Sequence, residues 1–257
     1  VPAQQSIARR FPSCHSSPAE KLPDGRTYYH LKSAMDVVEM CRRENAFIQM
    51  PHPDTKANDG LPYDCKNEPW FTDERWMGFG ARMLPADNSV DHMFAGRIER
   101  VWNDINNWAE KPRYVMSELD TYTKVEESEE DWELYPMTNC TYVQLDHIPS
   151  SEKYDELVDA LRAGKHFYST GEVLLENCVI EDGKATATFS WTFPMAYAEC
   201  VYSDGENVHS IRIPMNETKP YGRETVEFSF PKGMKWARVF ATDIAWNSAF
   251  GMPVFVK

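Results

Sequence analysis

Basic residues are scarce in this chain: 27 Lys and Arg stand against 40 Asp and Glu over 257 residues, a net charge of −13. Without a basic stripe to neutralise phosphates, this charge argues against a nucleic-acid partner. Long apolar runs are missing as well. None approaches the roughly 20 uncharged residues of a membrane-spanning helix, and the longest are strand-sized. Internal repeats and low-complexity tracts are absent. So are the G-x-S-x-G elbow, the P-loop, the dinucleotide fingerprint and H-E-x-x-H, which removes the commonest serine-hydrolase, nucleotide and zincin readings. The start at Val1 has no charged-then-apolar leader with a small-residue cleavage site, so a signal peptide either never existed or has been removed, and "VPAQQSIARRF" reads as an arbitrary cut. The six cysteines, Cys14, Cys41, Cys65, Cys140, Cys178 and Cys200, contain no C-x-x-C pair, against a zinc ribbon or a thioredoxin-type site. Their even number fits the disulfides of an exported protein, with Asn139 and Asn216 as glycan acceptors in a eukaryotic host. Six buried thiols in a cytosolic protein fit equally well.

What the chain does have is 42% hydrophobic residues, enough for one large core or two ordinary ones. The local period changes near residue 170. Before it, helical and strand patterns alternate. Ser33 opens "SAMDVVEMCRREN" as an N-cap with Asp36 in the capping-box position. "AFIQM" reads as a short buried strand. Over residues 90–110, Phe94, Ile98, Val101, Trp102, Ile105 and Trp108 form one helical stripe. "RYVMS" and "TYVQL" are further strands, and "SSEKYDELVDALRAGK" is a third helix capped by Gly164. This alternation predicts an α/β layer of parallel strands over residues 1–170. From Gly171 on, "EVLLENCVIE", "KATATFSWTF", "YAECVYSD", "VHSIRIPM", "RETVEFSF" and "KWARVFATD" are strand-length and separated by turn signals, which predicts an antiparallel β-sandwich over 171–257.

Reactive groups in parallel α/β layers collect beyond the carboxyl ends of strands. After "AFIQM" come His52, Asp54 and Lys56; after "RYVMS" come Glu118, Asp120 and Tyr122. A neutral imidazole and carboxylates suit Zn, Mn or Fe, and a bound divalent ion lowers the pKa of a water toward neutrality. In that scheme His52 and Asp120 are metal ligands, Glu118 is a ligand or the general base, and Lys56 stabilises an anionic small-molecule substrate. Asp54, Tyr122 and His15 are substrate-binding candidates. The plainer account makes His52-Pro53 a turn and "SELDTYTKVEESEEDWE" a solvated acidic loop. His30 is a weaker cleft candidate, His147 a better one than His92, and His166 and His209 read as structural. Exposed aromatics of "EPWFTDERWMGFGARM" and "WNDINNW" would stack on sugar rings, although core packing is the favoured role for Trp102 and Trp108.

The stretches "YYHLKSAMDVVEMCRRENAFIQMPHPDTKANDG", "NNWAEKPRYVMSELDTYTK", "YVQLDHIPSSEKYDELVDALRAGKHFYSTGEVLL" and "WARVFATDIAWNSAFGMPVFV" together resemble the later part of a PHP-type metallohydrolase, in its CehA/McbA-like branch with an appended β-sandwich. The resemblance implies a partial or distorted (β/α) barrel holding one to three divalent ions and hydrolysing phosphate esters, amides or related bonds. It puts the family's His-Pro histidine on His52 and its late D-x-H pair on Asp120 and Tyr122, where tyrosine replaces histidine. The family's opening H-x-H strand, Asp-His pair and glutamate have no counterpart before residue 28. That implies a fragment of a longer protein, a second chain completing the barrel, or a non-catalytic remnant that binds a glycan or protein partner.

Overall fold

The computed structural model describes residues 7–9, 19–50, 63–81, 98–117, 140–150 and 154–256. They fall into two compact units, one formed by Val1–Gln49 and Asp64–Met77, the other by Met50–Tyr63 and Gly78–Lys257.

In the first unit, β1 (Ile7–Arg9) and β2 (Ala19–Lys21) flank β3 (Thr27–His30), parallel and antiparallel to it respectively. Helix α1 (Ala34–Arg43) starts as its sequence predicts. The Asp36 N–H donates to Ser33 Oγ at 3.2 Å and the Ser33 N–H to Asp36 Oδ2 at 2.8 Å, which satisfies donors that the helix leaves orphaned. Val38 and Cys41 are buried, and the Glu44 carboxylate that follows accepts from the Tyr29 hydroxyl. The short strand β4 (Ile48–Met50) is held at its start by the Ile48 N–H on the Arg75 carbonyl, 2.6 Å. Two 3-10 turns, Tyr63–Asn67 and Pro69–Thr72, lead into β5 (Trp76–Ala81), within which the chain passes to the second unit. Phe71 and Trp76 are buried and Trp70 meets Trp76 edge-on at 5.0 Å, so these aromatics pack as a core.

The second unit starts with a parallel pair. β5 is followed by helix α2 (Ile98–Trp108), and β6 (Tyr114–Ser117) then lies parallel to β5, Gly78 opposite Tyr114 and Ala81 opposite Ser117. Position 78 must be glycine: a Cβ there would sit 1.9 Å from the Tyr114 carbonyl oxygen. The rest of the unit is antiparallel. β7 (Cys140–Val143), α3 (Asp155–Arg162), β8 (His166–Ser169), β9 (Val173–Glu181), β10 (Lys184–Trp191), β11 (Met195–Ser203), β12 (Val208–Pro214), β13 (Gly222–Ser229), β14 (Trp236–Asp243), β15 (Ser248–Gly251) and β16 (Val254–Phe255) build two sheets. The smaller has the order β13-β10-β9 and the larger β12-β11-β14-β15-β8-β7, with β16 also on β14. Alternate residues of both sheets face inward and bury Leu175, Phe189, Phe228, Val239 and Ala249 in one core. Full burial of a side chain the size of Phe189 or Phe228 contributes about 2 kcal/mol.

The outer face of the large sheet carries α2. Arg238, 1% exposed, donates to Glu99 Oε1 at 2.5 Å and Asn103 Oδ1 at 3.1 Å and lies over the Trp102 ring. Asn107 Oδ1 accepts from Ser203 Oγ and Trp236 Nε1. Trp102 itself is fully buried, as its place on the helical stripe predicts.

The partial (β/α) barrel is not what forms. The described residues are 46% strand with 19% helix, and their sheets close no barrel. The expectation took strand-helix-strand alternation to mean parallel neighbours. A parallel pair does form, but β6 makes it with β5, which is not among the expected strands; across α3 the two strands are antiparallel partners, Cys140 opposite Ser169 and Val143 opposite His166. β8 then pairs with β15, so β7 and β8 continue the sandwich's larger sheet. Strands on both sides of residue 170 thus share one sheet.

Candidate functional site

Every residue of the expected metal site lies outside the described residues: His52, Asp54 and Lys56, then Glu118, Asp120 and Tyr122, and also His15. The strand that leads into Glu118 is described, however. The turn before β6 is pinned by α2. Trp102 Nε1 donates to the Arg113 carbonyl at 2.8 Å, Asn106 Nδ2 to the same oxygen at 3.1 Å, and the Arg113 N–H returns to Asn106 Oδ1 at 2.9 Å. Val115 and Met116 are buried. At the carboxyl end, the Ser117 N–H donates to Thr141 Oγ1 on β7 at 2.7 Å.

His166 stands beside this strand. Its ring meets Tyr114 edge-on at 5.5 Å, the residue is 6% exposed, and neither ring nitrogen makes a hydrogen bond of good geometry. Burial drives its pKa down from 6.5 to about 4, with the Val115 backbone pulling the other way. At neutral pH it is an uncharged ring in a core, which agrees with the structural role read from the sequence. Tyr114 is pushed upward by burial, so its hydroxyl stays protonated. Gly164 ends α3 with φ +68°, its N–H on the Leu161 carbonyl and the following Lys165 N–H on the Ala160 carbonyl, a Schellman cap.

His30 and His147, both described, stand beside carboxylates. His30 faces Glu20 at 3.7 Å and the Tyr28 ring at 4.7 Å, and His147 is exposed beside Glu156 at 3.4 Å. Among the described residues no group of three or more His, Cys, Asp or Glu is arranged to hold a metal ion. The donor set proposed from the sequence, one imidazole with two carboxylates, has the chemistry that Zn, Mn or Fe takes. Among the described residues, no helix is long and apolar enough to cross a membrane. The described cysteines, Cys41, Cys65, Cys140, Cys178 and Cys200, are free thiols.

A second feature was not anticipated. A groove of about 350 Å³ opens between the two sheets of the sandwich at one edge. Tyr142 and Phe167 stack along it with centroids 4.9 Å apart and planes 5° from parallel; Leu174, Leu175, Cys178 and Met252 line its other walls. Tyr142, Leu174 and Val254 each remain more than a third exposed. Its polar rim includes Lys165 and Glu176, whose carboxylate takes a 2.7 Å contact from Arg223 Nε. Nothing in the local sequence marks this site, because Tyr142 and Phe167 become neighbours only through sheet pairing and Leu174 comes from the other sheet, packed against theirs.

Compared with known proteins, the chain matches no family model, and no curated protein matches it. The likeness to PHP-type metallohydrolases rests on the quoted stretches alone.

Proposed function

We propose that the chain is a metal-dependent hydrolase of PHP type, or the carboxy-terminal portion of one, acting on a phosphoester or amide bond of a small molecule without a (β/α) barrel. One observation carries the proposal: β6 belongs to a parallel β-α-β unit, and its carboxyl end runs directly into Ser117-Glu118-Leu119-Asp120. Carboxylates leaving the carboxyl edge of a parallel strand are where such chemistry collects. In this reading His52 and Asp120 hold a Zn, Mn or Fe ion, which when bound supplies Lewis acidity and an acidified water. Glu118 takes the proton from the attacking water, Lys56 neutralises the anionic substrate, and Asp54, Tyr122 and His15 position it. Metal analysis of the purified protein tests this. Near-stoichiometric Zn, Mn or Fe that is lost in His52→Ala and Asp120→Asn, with Glu118→Gln retaining metal but losing turnover, is the expected result. A wild-type protein that holds no transition metal after reconstitution ends the proposal.

The groove favours a second reading, in which the sandwich recognises a partner without catalysis. The core packing of Trp76 and Trp102 leaves their rings no free face for a sugar.

A further inference from the structure

We infer that the groove takes an extended peptide from another polypeptide by pairing it with the edge of β9 that is unpaired among the described residues. The inference builds on the partner-binding reading and is independent of the hydrolase.

The two sheets are unequal. Three strands, β13-β10-β9, face a sheet of order β12-β11-β14-β15-β8-β7, and β9 packs over β14 and β15. The large sheet therefore continues beyond β9 by two strands, β8 and β7, whose inner surface has no described strand above it. That surface carries the Phe167 and Tyr142 rings, opposite each other in the β7-β8 register. β9 pairs on one side with β10, and among the described residues its other edge is unpaired. Such an edge presents a row of backbone donors and acceptors, and strand addition satisfies them while alternate side chains fill the adjoining pockets. Here the free edge and the apolar floor adjoin, since Leu174–Cys178 line the groove. A register shift in the β9-β10 pairing leaves Glu176 without a partner inside that segment, and bulges of this kind often lie beside binding edges.

The same geometry says what the occupant is. Neighbouring strands lie about 4.8 Å apart, so a single added strand falls above β8, over Phe167. β9 of a second copy, paired antiparallel, cannot take the place. Its own large sheet would project beneath the first copy's β9, where β14 and β15 already lie. The occupant is therefore a lone strand of about five residues, matching Leu174–Cys178. It has apolar or aromatic side chains at the alternate positions that face Tyr142 and Phe167. With a net charge of −13 the chain favours a basic peptide over an acidic one.

The test uses a phage-displayed library of random heptapeptides panned against the immobilised full chain. Three results are expected. Enriched sequences have apolar residues at every second position; as synthetic peptides they slow hydrogen exchange of the β9 amides; and Leu174→Glu and Tyr142→Glu each weaken binding at least tenfold. Both positions are more than a third exposed, so the variants stay folded, which their circular dichroism spectra check, and His52→Ala binds the same peptides, which separates this result from the fate of the hydrolase reading. Panning that enriches no alternating sequence overturns the inference. So do binding peptides that leave β9 exchange unchanged, and a dimer in sedimentation that Leu174→Glu dissolves.

Discussion

His166 makes the stability of the second unit depend on pH in a direction that can be worked out in advance. Its imidazole is 6% exposed and titrates at about 4 in the folded chain, against 6.5 for an unperturbed ring, because burial penalises the charged form. Above 6.5 the ring is neutral in both states and contributes nothing to the pH dependence. Below 6.5 the unfolded chain takes up the proton first, so it binds more protons than the folded one and stability falls as pH falls. The fall continues until the folded ring protonates near 4. At about 1.4 kcal/mol per pH unit the loss is about 2 kcal/mol by pH 5 and about 3 kcal/mol by pH 4. Guanidinium unfolding of the wild type and of His166→Gln, from pH 7.5 to 4.5, isolates this contribution, since every other group titrates alike in both proteins. The wild-type advantage should shrink by about 2 kcal/mol between pH 7 and pH 5. A difference curve flat over that range refutes the reasoning, as does an NMR titration of the His166 ring with a midpoint near 6.5.

Three further outcomes follow from packing. Gly164→Ala puts a Cβ 2.7 Å from the Tyr114 ring and forces an L residue to φ +68°, so it should lower stability by about 2 kcal/mol in thermal denaturation. Glu99→Leu strands the buried Arg238 guanidinium and should cost about 3 kcal/mol, of which Arg238→Met in the same chain recovers a large part; a double-mutant cycle with no coupling would contradict the ion pair. Burial pushes the Cys178 and Cys200 thiols up to about 12, so iodoacetamide at pH 8 should leave both unmodified in the native protein and alkylate them once it is unfolded, read by peptide mass mapping.

Local chemistry was readable from the sequence wherever a few adjacent residues decide it. Ser33 and Asp36 form the expected capping box because its partners are three positions apart. Gly164 ends its helix, and Val101, Trp102 and Ile105 are buried along one helical stripe, because those outcomes need only a local period. The six strands expected after residue 171 also form, each bounded by its own turn signal. The expected metal ligands, with His52 and Asp120 foremost, lie outside the described residues, so the part of the site that the structure describes is the strand leading into Glu118.

What the sequence by itself determined, then, is the state of strongly patterned segments such as α1, α3 and β9 to β14 and which of their faces turn apolar, since both depend on side chains within a turn or two of each other. Only the tertiary structure decided which strands pair. β7 chose β8 in antiparallel register over a parallel place beside β6, and β8 chose β15, about eighty residues away. Such choices are settled by the summed burial of distant faces, Phe167 against Gly251 and Tyr168 against Phe250. No local period records that sum. The barrel expectation failed for this reason, and the groove over Tyr142 and Phe167 exists for the same one.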